Sequence, residues 1–175
     1  ACDNVIIYNP AYTAHSASSN KESTQKGNTC NSGRLHSPSA WCPRNNQRDG
    51  SWMQIDTGKV QTIEGVVTQG RRDANEWVKL FKVMVSQNGE TWSDVQCGSV
   101  FPANTDRSTK VQTKFDHPLE ARYIRIFPTG WNSAPAMRAG VLVCQGKCTG
   151  NGMNFDLQDS LASENGGPNL RAPWG

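Results

Sequence analysis

The strongest constraint on this chain is punctuation: short β-type runs recur between turn signals, and no stretch carries a helical period. Val5-Ile6-Ile7-Tyr8 is halted by Asn9-Pro10, and residues 52–56 alternate in polarity before Thr57-Gly58. Residues 63–68 follow as a second run, entering the turn Gln69-Gly70-Arg71. Residues 78–86 carry Leu80, Phe81, Val83 and Val85 into Asn88-Gly89, a pair that tolerates positive φ and closes a hairpin onto Thr91-Trp92. Residues 111–115, 122–127 and 141–143 complete the series, whereas 13–33 and 97–109 are polar and read as exposed loops. Several short strands and no helices predict an all-β sandwich or jelly roll.

Six cysteines (Cys2, Cys30, Cys42, Cys97, Cys144 and Cys148) form an even set with no C-x-x-C pair, and no histidine stands at zinc-finger spacing. Disulfides in an oxidising compartment are therefore expected, and no metal or cofactor. Sequence alone leaves all pairings open. No apolar run approaches the ~20 residues of a membrane-spanning helix, and no signal peptide precedes the first strand, so the chain reads as a mature or trimmed extracellular fragment. A net charge of +3 from dispersed basic residues gives no footprint for nucleic acid. Residues 1–148 read as one domain. Residues 149–175, rich in glycine and poor in aromatics, read as a linker or the opening of a following module, with a frayed tail as the alternative.

Five motifs then appear in order: Trp52-Met53-Gln54-Ile55-Asp56 with Thr57-Gly58, Thr68-Gln69-Gly70-Arg71, Glu76-Trp77-Val78, residues 86–92 (SQNGETW), and residues 121–126 (ARYIRI) followed by Pro128 to Trp131. In this order and spacing the chain resembles the discoidin family, the coagulation factor V/VIII type C domain. The resemblance implies an eight-stranded antiparallel jelly-roll β-sandwich whose loops at one end form a ligand surface. It also implies a disulfide from Cys2 to Cys144, which by chain entropy would contribute roughly 4–5 kcal/mol. Cys30–Cys42 would then staple the first exposed loops, leaving Cys97 and Cys148 as a third pair. One departure stands out: Gly140 occupies the place where the family usually has an acidic residue, so no carboxylate from that position is expected to fix Arg138.

No G-x-S-x-G, H-E-x-x-H or phosphate-binding glycine loop is present, so the chain is not read as an enzyme. Recognition is the expected role. Lipid-binding members of the family insert bulky apolar side chains from their loops, but loops 18–28 and 71–76 are polar here, and membrane insertion is disfavoured. Sugars need planar hydrogen-bonding groups and an apolar platform, and Arg34, His36, Arg71, Arg72, Asp73, Glu76 and Trp77 are the surface residues singled out. Arg71 and Glu76 match ligand-surface positions of the collagen-binding relatives, and Trp41 and Trp131 are further platform candidates, whereas Trp52 and Trp92 are expected in the core. The partner is expected to be an extracellular glycan. The alternative is a matrix or cell-surface protein, self-association included.

Overall fold

The computed structural model describes residues 2–21 and 25–146. Among the described residues, eight antiparallel strands form one continuous hydrogen-bonded sheet: β1 (Val5–Tyr8), β2 (His15–Ala17), β3 (Met53–Gln69), β4 (Trp77–Ser86), β5 (Ser93–Asp94), β6 (Phe101–Pro102), β7 (Val111–Asn132) and β8 (Arg138–Cys144). Two long strands fold this sheet into two layers. The first half of β3 pairs with the second half of β7, from Met53 opposite Ile126 to Asp56 opposite Tyr123, and the pairing then shifts register before Gln61 meets Ala121. That irregularity is the corner of the sandwich, a usual place for a strand to cross between layers. Gly58 sits there at φ +87°, and its N–H donates to the Asp56 carboxylate at 2.8 Å. The two runs that read as separate strands at 52–56 and 63–68 are thus one bent strand.

Beyond the corner, β8 and β1 extend the layer formed by the later half of β3 and the start of β7. The other layer holds β2, β4, β5 and β6. Ile55, Phe81, Val83, Ile124 and Ile126 from one layer meet Ile63, Val66, Val141 and Val143 from the other in a single core. From Phe81 onward the period-2 alternation of β4 produces this, burying Phe81, Val83 and Val85 and exposing Lys82, while register shifts around Leu80 return Val78 to the buried side. β8 breaks alternation and is buried on both faces, because Leu35 closes over Leu142 and Val67 on its outer side. Gly140 makes this possible. A Cβ there would stand 2.7 Å from Leu35 Cδ1 and 2.9 Å from the Tyr8 carbonyl.

Cys2 is bonded to Cys144 and Cys30 to Cys42. Cys97 is an exposed thiol, and Cys148, its expected partner, lies outside the described residues together with the segment 149–175. Two expectations change. Segment 13–33 is not a bare exposed loop: it contributes β2 and the buried Cys30, Ser32 and Gly33. Trp52 and Trp92 are half-buried rather than in the core, and they hold the Arg125 guanidinium between their rings at 3.9 and 4.0 Å from the centroids. A guanidinium stacks well on indole, so these tryptophans close the outer face of the second layer.

Candidate functional site

At one end of the sandwich, the turn after β3, the segment before β8, the loop before β7 and residues 31–42 converge. Two arginines hold this end from inside. Arg138 is buried, and its guanidinium donates to the carbonyls of Gly70 (2.8 Å), Ser37 (2.9 Å) and Arg107 (2.8 Å), with Ser108 Oγ at 3.4 Å. Three separate loops therefore share one cation. With Gly140 in place of an acidic residue, loop carbonyls are among the acceptors of the Arg138 guanidinium.

Arg34 is equally buried, at 1% exposure. Its Nε donates to the Pro10 carbonyl at 2.9 Å and its Nη2 to Asn9 at 3.1 Å, with the Tyr12 ring 5.7 Å away. It is therefore not one of the surface residues expected from sequence. The neighbouring Leu35 must bury itself over β8, and that draws Arg34 under the loops. His36 follows at φ +66°, half-buried, with its backbone N–H on Gln69 Oε1 at 2.9 Å.

The outer surface is built on the turn 70–76. Gly70 is required at its entry, since a Cβ would meet the Asp106 carbonyl at 2.6 Å and Trp77 Cβ at 2.7 Å. The turn closes by the Arg71 N–H donating to the Glu76 carbonyl at 2.9 Å. Across it, Arg71 Nε donates to Asp73 Oδ1 at 2.7 Å and Nη1 to Glu76 Oε1 at 2.9 Å. Ser39 Oγ donates to the same Asp73 oxygen at 3.0 Å, tying the turn to residues 37–42. Partial burial works against the Asp73 charge, but hydrogen bonds from Arg71 and Ser39 outweigh it and hold the carboxyl below the usual range. Arg72 is exposed beside this network, and Arg107 lies across it, with Nε on Asn75 Oδ1 at 2.8 Å and Nη1 on the Arg72 carbonyl at 3.3 Å. Trp77 opens β4 opposite Asn132, half-buried at the edge of the same turn.

Arg71, Arg72, Asp73, Glu76 and Trp77 thus share one face, with His36 at its margin and Arg34 beneath. Ser39, Asn75 and Arg107 join the network from the loops 37–50, 71–77 and 102–108, which the family resemblance places at the ligand end. Trp41 is buried at 2% exposure, its indole N–H donating to the Ser19 carbonyl at 2.8 Å, and it serves as packing rather than as an open platform.

The described face offers fixed donors and acceptors at hydrogen-bond spacing and little apolar surface. The exposed large hydrophobic residues among those described are Val60, Leu80 and Val100, none of them in the turn 70–76.

The chain is 37% identical to mouse retinoschisin over 129 residues, which cover 69% of this chain and 57% of that protein, so it spans little more than half of that relative's length. Among solved structures it is similar to wild-type discoidin II from Dictyostelium discoideum, with a TM-score of 0.66 at 20% identity, covering 78% of this chain and 56% of that one. It is also similar to the family 32 CBM of C. perfringens NanJ in complex with galactose, with a TM-score of 0.54 at 16% identity, covering 79% and 98%. At these identities the structural likeness bears on the fold alone. The profile of the F5/8 type C domain matches residues 14–141, most of the described sandwich, and the chain belongs to that family.

Proposed function

We propose that this domain is a non-catalytic extracellular recognition module that binds cell-surface or matrix glycans through its loop end. The observation that carries the reading is the Arg71 guanidinium, fixed between Asp73 and Glu76 at 2.7 and 2.9 Å on a turn braced from below by Arg138. A sugar presents hydroxyls that both donate and accept, and a preset array of carboxylate oxygens and guanidinium N–H groups meets them at little ordering cost. The two disulfides fit an oxidising compartment. The similar family 32 CBM was solved in complex with galactose, so the fold is compatible with a sugar ligand. Loop residues 18–21 and 70–76 carry no exposed bulky apolar side chain, which weighs against insertion into lipid.

The test is a glycan array with the disulfide-intact domain displayed multivalently, since repetition raises the avidity of a weak site. Binding to one glycan family, lost in Arg71→Ala, is the expected outcome. A blank array moves the partner to a matrix or cell-surface protein.

A further inference from the structure

Asn28, Thr29 and Cys30 form a triplet that the loop-end site does not use. The oligosaccharide transferase of the secretory pathway reads Asn-x-Ser/Thr, with any residue but proline in the middle, and modifies the asparagine. The third residue contributes an X–H group that hydrogen-bonds to the enzyme while the amide reacts. A cysteine thiol is such a donor, weaker than a hydroxyl. No other asparagine in the sequence is followed two positions on by Ser, Thr or Cys.

In the folded domain the two ends of the triplet have opposite environments. Asn28 and Thr29 are exposed on the turn 25–31, and Asn28 Nδ2 donates to Gln25 Oε1 at 3.3 Å on the surface. An N-linked sugar replaces one of the two Nδ2 hydrogens, and the other can keep that contact. The turn therefore carries a glycan without displacing a buried group. Cys30, in contrast, is 0% exposed and bonded to Cys42. A disulfide sulfur has no hydrogen to donate. The turn is also closed, with the Gly27 N–H on the Asn31 carbonyl at 2.8 Å and the Asn31 N–H on the Asn28 carbonyl at 2.9 Å. The oxidised fold accommodates the product of the transfer but cannot be its acceptor.

Glycan transfer and disulfide closure thus compete for one thiol, and their rates leave room for both. Cys42 follows Cys30 by twelve residues, about one second of synthesis at ~5–20 residues per second. Disulfide formation then takes seconds or longer. The nascent chain passes through a state in which the triplet is open and the thiol is present.

We propose that Asn28 is an N-glycosylation site whose occupancy is set by competition with closure of the Cys30–Cys42 bond. Asn28 Nδ2 attacks C1 of the first sugar of a lipid-diphosphate-linked oligosaccharide. The C1–N bond forms as the C1–O bond to the diphosphate breaks. The lipid diphosphate leaves with the bonding pair, and the Nδ2 proton passes to a base of the transferase. The Cys30 thiol is not consumed and goes on to bond Cys42, so the mature population is a mixture of occupied and bare chains. The inference rests on passage through an oxidising secretory compartment and is independent of the ligand that the loop end takes.

The test directs the full chain into the secretory pathway of cultured animal cells. All of it, secreted and retained, is weighed by mass spectrometry before and after peptide N-glycanase in heavy-oxygen water. The expected result is a fraction with a glycanase-sensitive mass and labelled aspartate at residue 28, absent in Asn28→Gln and in Thr29→Pro. Cys42→Ser keeps the Cys30 thiol free and should raise occupancy at least about twofold. Cys2→Ser removes the other disulfide, controls for slow folding, and should raise occupancy less. Absence of a glycanase-sensitive mass from the wild-type chain, or its survival in Asn28→Gln, overturns the site. Occupancy unchanged in Cys42→Ser, or raised equally in Cys2→Ser, overturns the competition.

Discussion

The loop end contains two layers of arginine, and they solve the same electrostatic problem differently. In the inner layer, Arg34 and Arg138 are each 1% exposed and donate to main-chain carbonyls of the loops around them. In the outer layer, Arg71 is held by two side-chain carboxylates, and the Asp73 side chain keeps 41% of its surface exposed. Carbonyls of a closed loop have no alternative partner, so an arginine that serves them is committed to architecture. Carboxylates at the surface retain free lone pairs, so the arginine between them is oriented but still able to share its network with a ligand. Identical side chains thus take opposite roles according to what accepts their hydrogens.

The largest effect should come from the inner layer. Arg138→Met removes the cation shared by three loops and leaves the Gly70, Ser37 and Arg107 carbonyls unsatisfied, and it should lower stability by about 3–5 kcal/mol in urea unfolding. A loss under about 1 kcal/mol would show that water replaces the guanidinium and would erase the distinction between the layers.

Acid should reach the inner layer next, through His15, which lies close enough to Arg34 for its pKa to be lowered by that charge. The unfolded imidazole, near 6.5, binds a proton that the folded ring, near 3, refuses, so stability is full above pH 6.5 and falls as pH drops toward 3. At about 1.4 kcal/mol per pH unit, some 2–3 kcal/mol should be lost between pH 6.5 and about 4.5. His15→Leu should flatten that slope. An unchanged slope would locate the acid sensitivity elsewhere.

A smaller inner-layer change is Arg34→Lys, which keeps the charge but not the fork that reaches both Pro10 and Asn9. A loss of about 1–3 kcal/mol is expected from thermal unfolding. The smallest stability effect belongs to Arg71→Ala, at most about 1 kcal/mol for a partly exposed ion pair, accompanied by loss of ligand. A large loss of stability with ligand binding intact would place Arg71 in the inner layer.

The layers also show what the sequence could reveal. The strand runs, the break at Thr57-Gly58 and the hairpin at Asn88-Gly89 are readable because period-2 burial and positive-φ turns leave a residue signature, whereas the continuity of β3 across that break is not. The five ordered motifs located the turn 70–77 for the same reason. Nothing in the letters separates Arg34 from Arg71, since the acceptors of Arg34 are main-chain carbonyls and carry no residue type. The depth of Arg34 follows from Leu35 closing over Leu142, a contact more than a hundred residues distant. His15 escaped notice because it lies in a polar stretch, where a short strand buries it without any apolar pattern. Trp52 and Trp92 misled in the other direction, because a large aromatic grips an arginine on an outer face as readily as it fills a core.

The Cys2–Cys144 bond lies at the end opposite the loops, where Val143 pairs with Ile63 near the corner. Tension entering the chain before residue 2 and leaving after residue 144 crosses through sulfur and bypasses the β-ladders. Under that end-to-end load the β1–β8 ladder is spared, because the disulfide ties Cys2 to Cys144 next to the Val5–Cys144 pair at its end.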